Sequence, residues 1–450
     1  MIDLFGTAFK YEIAQVFEQG NVGPQYSYNL SIIANGKEIP IQAVIGTHRL
    51  RDYINNYTDL FTVTFLTIQD DLEYKIKPYQ DNLEAVLVRK QVSTNPNIQN
   101  DSGMSQRIVA RYKAVMTDSS RDIIEQNNPF VKDRDVMGRT MAPPVTIQLI
   151  DLAVDKLRLM TIGTIPRNEP GMKVIETLLT KFSKEASNLA GTYPLGLDIA
   201  PDYNKEVRQQ IVIPDFTKVT AVPKLIAENC GGIYPAGFGY YLQNRIWYLF
   251  PPYNPDRYFS VKKNLTIVNI PKNRMAGLEK SFRNTETQLV VLCTGDVSHV
   301  DFADQNQLSY GNGSRFFDAL KLTSMGTMSN NRYQVDASKN MNEFQTNERR
   351  DGLSVAFRGT TPITSNKYAQ SAMMAARMGS FVQLEWTSSD DSLVYPGMPI
   401  RYLYLANTRP TEAFGVVAAI ETYQLPEASN IAETKLMSKS AITVFIHHPH

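Results

Sequence analysis

Residues 28–41 read YNLSIIANGKEIPI and carry the clearest local signal for the fold. Apolar side chains alternate with other residues on one side of Asn35-Gly36 and resume at Ile39 and Ile41 on the other. Asn-Gly between alternating apolar residues is the strongest short hairpin signal, because both turn positions need a positive φ. The stretch therefore predicts two antiparallel strands joined by a tight turn.

Further strands are predicted on both sides of a different middle section. Residues 61–68 (FTVTFLTI) are β-branched and aromatic, and Asp70-Asp71 closes them. Strands at this spacing favour a barrel or sandwich over alternating βα units. The other predicted strands are 83–92, 107–117, 144–153, 264–270, 287–293, 353–358, 379–387, 399–406, 413–423 and 440–447. Long loops are predicted at 93–106, 127–144 and in the Asn-rich segment 326–348.

The middle section predicts a small α/β unit. Residues 171–184 (GMKVIETLLTKFSK) have apolar side chains at helical spacing, and residues 220–230 read as a second, short helix that ends at Gly231-Gly232. Residues 240–250 predict a hairpin whose turn is Asn244-Arg245. The predicted layout is mainly β with a small α/β part, in three domains: 1–165, 166–262 and 263–450, the last with the loop 326–348.

Composition places the chain among folded, globular proteins. Of its 450 residues, 43% are apolar and 20% charged, and 23 Tyr and 20 Phe against 2 Trp favour pleated, half-buried surfaces. The length predicts two to four domains at about 100–200 residues each. The net charge of +1 argues against whole-surface binding to nucleic acid or an anionic membrane, and is compatible with self-association.

The sequence shows neither a secretion signal nor a disulfide framework. The first residues lack a basic segment followed by an apolar core, and no apolar run approaches the ~20 residues of a membrane span, so neither secretion nor a membrane partner is expected. Cys230 and Cys293 make no disulfide framework and are expected to be small buried hydrophobes in a protein made in a reducing compartment.

The sequence lacks the common catalytic and cofactor motifs. The sequence contains no P-loop, no dinucleotide-binding glycine pattern, no zinc pattern and no G-x-S-x-G. Histidine is scarce, and a triad around His48 or His299 would need distant partners. The carboxylate pairs Asp133/Asp135, Asp70-Asp71 and Asp390-Asp391 are each more simply explained as solvated turns. We therefore predict no enzyme, no cofactor and no metal.

One charge feature remains as a candidate site. Residues 245–286 contain eight cations against three carboxylates, a local net charge of +5. A basic face of this kind could contact an acidic partner or a phosphate backbone, or line a channel. The simpler explanation is that these residues lie on solvated strand edges. The eight residues are Arg245, Arg257, Lys262, Lys263, Lys272, Arg274, Lys280 and Arg283.

Three stretches resemble the tail hub (baseplate hub) proteins of contractile-tailed phages and related injection systems. Residues 51–84 are similar to the first barrel of a hub, with Tyr79-Gln80-Asp81-Asn82-Leu83-Glu84 at its turn. Residues 231–251 resemble the short helix and aromatic strand of the α/β insert. Residues 396–404 (PGMPIRYLY) resemble the strand that enters the second barrel after a Pro-Gly turn.

The resemblance implies two β-barrel domains that flank an α/β insert, and a structural role in the virion. A homotrimer would offer a pseudo-sixfold surface to the tail tube protein and hold the spike protein on its other side, among other baseplate proteins. Its channel would serve viral genome ejection, with transient contact with passing DNA possible, and the tail baseplate would assemble in the host cytoplasm.

Two other classes of function stay open from the residues alone. The chain could be a β-rich receptor- or carbohydrate-binding tail component that places Tyr and Trp against a sugar. It could also be a β-structured glycan hydrolase with Asp133 or Asp135 at a cleft.

Overall fold

The computed structural model describes residues 6–92, 107–117, 144–201, 203–271, 280–295, 379–406, 409–426 and 435–447, together with a few short pieces between them. The N-terminal part begins with one helix and continues in strands. These elements are α1 (Gly6–Gln19), β1 (Asn21–Val22), β2 (Gln25–Ala34), β3 (Lys37–Pro40), β4 (Ala43–Asp52), β5 (Leu60–Leu66), β6 (Leu83–Val92), β7 (Arg107–Met116), β8 (Asp135–Val136), β9 (Arg139–Thr140) and β10 (Val145–Asp151).

The insert, residues 152–263, contains three helices and short strands. Its elements are α2 (Leu152–Leu157), β11 (Thr161–Thr164), β12 (Arg167–Pro170), α3 (Gly171–Ala190), β13 (Gly196–Ile199), β14 (Val207–Gln210), β15 (Ile213–Lys218), α4 (Val222–Asn229), β16 (Gly239–Gln243) and β17 (Ile246–Phe250).

The C-terminal part returns to strands. Its elements are β18 (Asn264–Asn269), β19 (Lys280–Asn284), β20 (Gln288–Cys293), β21 (His299–Val300), the short β22 (Phe317–Asp318), β23 (Thr323–Ser324), β24 (Thr327–Met328) and β25 (Tyr333–Gln334), then β26 (Gly379–Thr387), β27 (Pro399–Ala406), β28 (Arg409–Pro426) and β29 (Leu436–His447). The fold class predicted from the sequence, mainly β with a small α/β part, is confirmed.

Eight antiparallel strands close on one another in a circuit that we call the first ring. Its order is β28-β4-β5-β10-β7-β6-β2-β29, and β29 pairs with β28 again. Every second side chain of its strands points inward, as at Phe61, Val63 and Phe65 of β5, because successive residues of a strand face opposite sides. Leu72 and Ile76, from the helical turns at 71–82, fill one end of this apolar interior.

Six strands form a second closed circuit, the second ring. Its order is β28-β27-β18-β20-β26-β29, in which β18 runs parallel to both β20 and β27. The step from β20 to β26 is a single bridge, where the amides of Thr294 and Glu385 donate to each other's carbonyls at 2.9 and 2.7 Å. The two rings share β28 and β29, so the C-terminal hairpin belongs to both.

Helix α1 covers the outside of the second ring. Phe9 and Val16 pack on Val268 of β18 and on Val290 and Leu292 of β20. Strands β18 and β20 are consequently buried on both faces and are almost continuously apolar, as parallel strands between two layers usually are. The sequence prediction did not include α1, although Phe9, Ile13 and Val16 have the i, i+4, i+7 spacing of a helix face.

The insert places a small sheet against its long helix. The sheet order is β13-β17-β16, with β13 parallel to β17. Trp247 of β17 is buried against α3 and donates its ring N–H to Ser183 Oγ at 3.0 Å. The predicted helices at 171–184 and 220–230 correspond to α3 and α4, and the predicted hairpin to β16 and β17.

Both predicted hairpin turns have a positive φ at their two central residues, which Arg245 adopts at a cost. The values of φ are +49° and +74° at Asn35-Gly36, and +50° and +66° at Asn244-Arg245. The predicted strand at 144–153 ends earlier, because Asp151 accepts hydrogen bonds from the amides of Ala153 and Val154 and begins α2. The predicted strand 353–358 and loop 93–106 lie outside the described residues, as do most of the predicted loops 127–144 and 326–348.

Candidate functional site

The structure divides the predicted basic face into three separate groups. Six of its eight residues are described, and Lys272 and Arg274 lie outside the described residues. Arg245 stands alone at the end of the insert, Lys280 and Arg283 meet α1, and Arg257, Lys262 and Lys263 line one cleft. The function of a common basic face stays a prediction, and we consider each group by its contacts.

Arg245 fastens the insert to the first ring. Its guanidinium donates to Asp151 Oδ2 at 2.9 Å, to Thr192 Oγ1 at 3.1 Å and to the carbonyl of Tyr193. Asp151 is the last residue of β10, and its other oxygen caps α2. The contacts of Arg245 are therefore structural, since they hold the β16–β17 turn on the end of the strand from which the insert starts.

Lys280 and Arg283 bind the C-terminal end of α1. Lys280 Nζ lies 3.3 and 3.4 Å from the carbonyl oxygens of Phe17 and Glu18, and Arg283 Nη1 donates to Gln15 Oε1 at 2.5 Å. The last carbonyls of a helix lack partners within the helix and carry partial negative charge, which a cation stabilises. These two residues thus dock α1 on the second ring.

Arg257, Lys262 and Lys263 line a cleft of about 560 Å³ between the insert and the loop that precedes β27. Arg257 is partly buried, and burial lowers the pKa of its guanidinium. One of its donors, Nη1, reaches the carbonyl of Gly397 at 3.2 Å, and Arg257 forms no ion pair within the described part of the chain. Asp198, at the exposed edge, is the carboxylate among the lining residues.

Tyrosines and a strict turn fix the walls of this cleft. The rings of Tyr248 and Tyr395 stack at 6.3 Å, and Tyr395 donates its hydroxyl to the carbonyl of Lys263 at 2.7 Å. The amide of Met398 donates to the carbonyl of Tyr395 across Pro396-Gly397, and Gly397 has φ +70°, as the third residue of a type II turn requires.

A buried polar junction connects the two rings and the insert. Arg51 of β4 pairs with Asp391 at 2.9 Å, and both side chains are at most 10% exposed. Just beyond the end of β4, Tyr53 donates to Gln243 Oε1 at 3.0 Å, and Gln243 Nε2 donates to the carbonyl of Val394 at 2.7 Å. One strand of the first ring is thereby joined to β16 of the insert and to the loop 388–398.

Several candidate catalytic residues of the sequence form hydrogen bonds or ion pairs within the chain. Asp390 caps the turn at 391–393 through the amide of Ser392, Asp71 pairs with Lys75, and His48 shares its Nε2 hydrogen bond with Glu421 at 2.8 Å. Asp133 and the side chain of Asp135 lie outside the described residues. Cys230 and Cys293 are free thiols, and burial raises the pKa of Cys293.

Within the described ranges, no three His, Cys, Asp or Glu side chains come together in a way that could hold a metal ion. None of the helices in those ranges is both long and apolar enough to cross a bilayer.

Comparison with solved structures finds tail proteins over nearly the whole chain. A tail protein from Neisseria meningitidis MC58 is 9% identical with a TM-score of 0.42, and the alignment covers 93% of this chain and 96% of that one. The 43 kDa tail protein of prophage MuSo2 from Shewanella oneidensis is 11% identical with a TM-score of 0.39 and the same coverages. The E. coli c3393 protein, described as a type VI secretion component with structural similarity to the T4 tail proteins gp27 and gp5, is 9% identical with a TM-score of 0.41, over 94% of this chain and 77% of that one.

The resemblance found in the sequence was to tail hub proteins, and these similar structures include phage tail proteins. No protein-family model and no curated protein matches the chain.

The sequence prediction missed the two features that organise these sites. Asp390-Asp391 was interpreted as a solvated turn, but Asp391 is buried against Arg51. The cleft combines residues 198–201, 234–263 and 395–396, which no local pattern connects. The usable signal was the Pro-Gly turn at 396–397, which marks a fixed backbone position but not the wall opposite it.

Proposed function

We propose that this chain is a subunit of a phage-tail or related injection-system baseplate and acts as its hub. The observation that carries the proposal is the pair of closed strand rings that share β28 and β29. A single chain thereby holds two ring-shaped units in a fixed relation. Such a unit suits a part that transmits force and position between larger assemblies and needs no catalytic group.

The proposed assembly is a homotrimer. Three copies around one axis would place six strand rings around it, which matches the symmetry step between a threefold spike and a sixfold tail tube. In this arrangement the partners are the tail tube protein, the spike protein and other baseplate proteins, and the subunit borders the channel for genome delivery. The domain boundaries 1–165, 166–262 and 263–450 belong to this proposal, with the qualification that β28 and β29 complete both rings.

Buried polar contacts between the two rings and the insert support a structural role that needs a fixed arrangement. The Arg51–Asp391 pair and the Tyr53–Gln243–Val394 chain of hydrogen bonds join the rings and the insert in a buried setting, where such bonds are costly to break. Arg245 adds a further connection, between the β16–β17 turn of the insert and Asp151 at the end of β10. These contacts favour one fixed arrangement of the three parts.

The insert presents apolar side chains that could bury against another subunit. Exposed apolar patches often mark protein–protein contacts. Phe216 of β15 is 87% exposed although its φ is +64°, a value that a non-glycine residue adopts at a cost. The insert also exposes Leu159, Ile165, Leu189, Tyr193, Val207, Val212 and Phe259.

The proposal is tested by measuring mass and partner binding with the same purified protein. Light scattering after size-exclusion chromatography at micromolar concentration should give three times the chain mass for the chain alone, or three copies of the chain in a complex with a tail tube or spike protein. Co-purification of the tagged chain with those two proteins provides the second readout. A strict monomer that retains neither partner would contradict the proposal.

A further inference from the structure

We propose that the cleft lined by Arg257, Lys262 and Lys263 binds the carboxylate of an acidic peptide segment. The cleft has about 560 Å³, within the range of roughly 300–1,000 Å³ that is usual for ligand sites. Three cations line it against the single carboxylate of Asp198, and one of them, Lys263, also donates from its Nζ to Asn284 Oδ1 at 2.7 Å. This site exists in the isolated chain and does not depend on the hub role.

Arg257 supplies the main recognition group. Its guanidinium is partly buried, which lowers its pKa, and the described residues provide no carboxylate within ion-pair distance. Its bond to the carbonyl of Gly397 uses one N–H and holds the plane of the group. The remaining N–H groups suit the two oxygens of a carboxylate, which guanidinium binds in a fork.

The walls favour a peptide over other anions. Tyr234, Tyr248 and Tyr395 surround the cleft, together with Pro201, Pro235, Pro251 and Pro396. The hydroxyls of Tyr234 and Tyr395 are bound to backbone carbonyls, so their rings are fixed as apolar walls. Aromatic walls of this kind hold extended, proline-containing peptides, whose conformation costs little entropy to fix.

Charge distribution argues against a nucleic acid strand as the ligand. Single strands bind along extended basic grooves, with stacking platforms at successive bases. Here the cations are confined to residues 257–263, which is too short a run to follow several successive phosphates. Lys280, Arg283 and Arg245 do not extend the track, because they contact α1 and Asp151.

Isothermal titration calorimetry with defined probes tests the site. The probe is an end-capped peptide with two glutamates around one proline, and its glutamine counterpart is the uncharged control. Inorganic phosphate and thymidine monophosphate are titrated separately. The glutamate peptide should bind with a Kd below about 1 mM and about tenfold more tightly than the glutamine peptide, the difference expected for a charge-assisted hydrogen bond.

Two independent variants locate the binding. Arg257→Gln should weaken the glutamate peptide about tenfold or more, and Lys262→Gln with Lys263→Gln should weaken it by several-fold without touching the bond to Gly397. The matched control, Lys173→Gln with Lys224→Gln, removes the same charge from exposed helix positions and should leave the Kd within about twofold. Thermal melting checks that each variant is folded.

Three results would overturn the proposal. They are the absence of binding heat with the glutamate peptide, equal affinity for the glutamate and glutamine peptides, or binding of phosphate or thymidine monophosphate that is tighter than that of the glutamate peptide. The last result would assign the cleft to phosphate-bearing ligands instead.

Discussion

At the scale of single residues, the Arg51–Asp391 pair shows how a charge is kept in the interior. Burial alone would raise the pKa of Asp391, but Arg51, with help from Arg49 and Arg89, lowers it below its usual value. Arg51 Nη1 also donates to the backbone carbonyl of Asp391 at 3.1 Å. Each charge is therefore tolerated because the other is present, and the pair fixes where loop 388–398 sits on β4.

Removing one member of this pair should be strongly destabilising. We expect Asp391→Asn to lower the free energy of unfolding by about 3–5 kcal/mol, because it leaves Arg51 buried without a counter-charge. Urea unfolding followed by circular dichroism measures the change. Glu385→Gln, which breaks the exposed pair with Lys439, is the control and should cost less than about 1 kcal/mol. Equal costs for the two variants would show that the buried pair has no special weight.

The same pair predicts a dependence of stability on pH. Because the pKa of Asp391 is lower in the folded chain than its unfolded value of about 3.9, its contribution is complete above that value and is lost as the pH falls toward the folded pKa. Burial raises the pKa of the neighbouring Asp390, which acts in the opposite direction but is present in both proteins. The stability difference between the unmodified chain and Asp391→Asn should thus be constant from about pH 8 to 5 and shrink below about pH 4.

Urea midpoints at several pH values measure this difference directly. A difference that stays the same down to about pH 3 would show that Asp391 does not titrate in this range.

Gly397 combines two constraints that can be separated by a control. An added Cβ would lie 2.3 Å from the ring of Phe250, and φ is +70°. At Gly36, φ is +74° but nothing lies within 4 Å of an added Cβ. We expect Gly36→Ala to cost about 1–2 kcal/mol from the backbone alone, and Gly397→Ala to cost about 1–3 kcal/mol more from overpacking. Urea unfolding compares them, and similar costs would mean that Phe250 moves aside freely.

At the scale of elements, the shared hairpin of β28 and β29 presents one face to both rings, and the residues on that face change from polar to apolar along its length. Thr422 and Gln424 of β28 and Ser438 and Ser440 of β29 form buried hydrogen bonds with one another at the polar end of the first ring. Apolar residues of the same two strands, such as Ile420 and Val444, belong to the core of the second ring. One hairpin can serve both rings because its residues match two different interiors.

Helix α1 is predicted to stabilise the second ring through its buried face. Phe9 is 2% exposed on β18 and β20, whereas Phe17, on the same helix, is 45% exposed. Phe9→Ala should lower the free energy of unfolding by about 3–5 kcal/mol, and Phe17→Ala by no more than about 0.5 kcal/mol. Urea unfolding of the two variants tests this. Similar small losses would show that α1 is not part of the cooperative core.

At the scale of the whole molecule, the structure joins two closed rings and an insert but leaves apolar residues of the insert exposed. Phe216 combines high exposure with a positive φ, a combination that does not favour the isolated chain. In the proposed trimer, a contact between subunits would bury this side chain and offset the cost of its backbone.

This explanation predicts opposite effects on folding and assembly. Phe216→Gly should stabilise the isolated chain by up to about 1 kcal/mol, because relief of the left-handed backbone (about 1–2 kcal/mol) exceeds the entropy cost of glycine (about 0.5–1 kcal/mol), and it should weaken self-association about tenfold or more. Urea unfolding and sedimentation velocity measure the two effects. Tyr74→Ser, which removes another exposed aromatic ring at the end of the first ring, should leave association unchanged. Unchanged association in Phe216→Gly would exclude this residue from the interface.

The sequence predicted most strands, both described turns and both main helices of the insert, because these depend on neighbours in the chain. Asn35-Gly36 favours the backbone that it adopts, and Asn244 tolerates a positive φ as Arg245 does not. The alternation in β5 places Phe61, Val63 and Phe65 on one face wherever the strand is put. The basic stretch was also visible in the sequence. Its division among a cleft, a helix end and a carboxylate was not, because that depends on the partners that folding brings to each side chain.

The sequence by itself therefore determined most strands, the two main helices of the insert, the β-rich class and the turns, but not α1 or β4. The tertiary structure alone decided that β28 and β29 complete both rings and that Asp391 is buried on Arg51. The hydrogen bond between Tyr28 and Gln424 joins residues 396 positions apart, and Arg51 and Asp391 are separated by 340 positions. Alternation and turn chemistry specify which face of a strand is apolar, but strand order is set by which edges can close together over a common core, and that is a property of the whole chain.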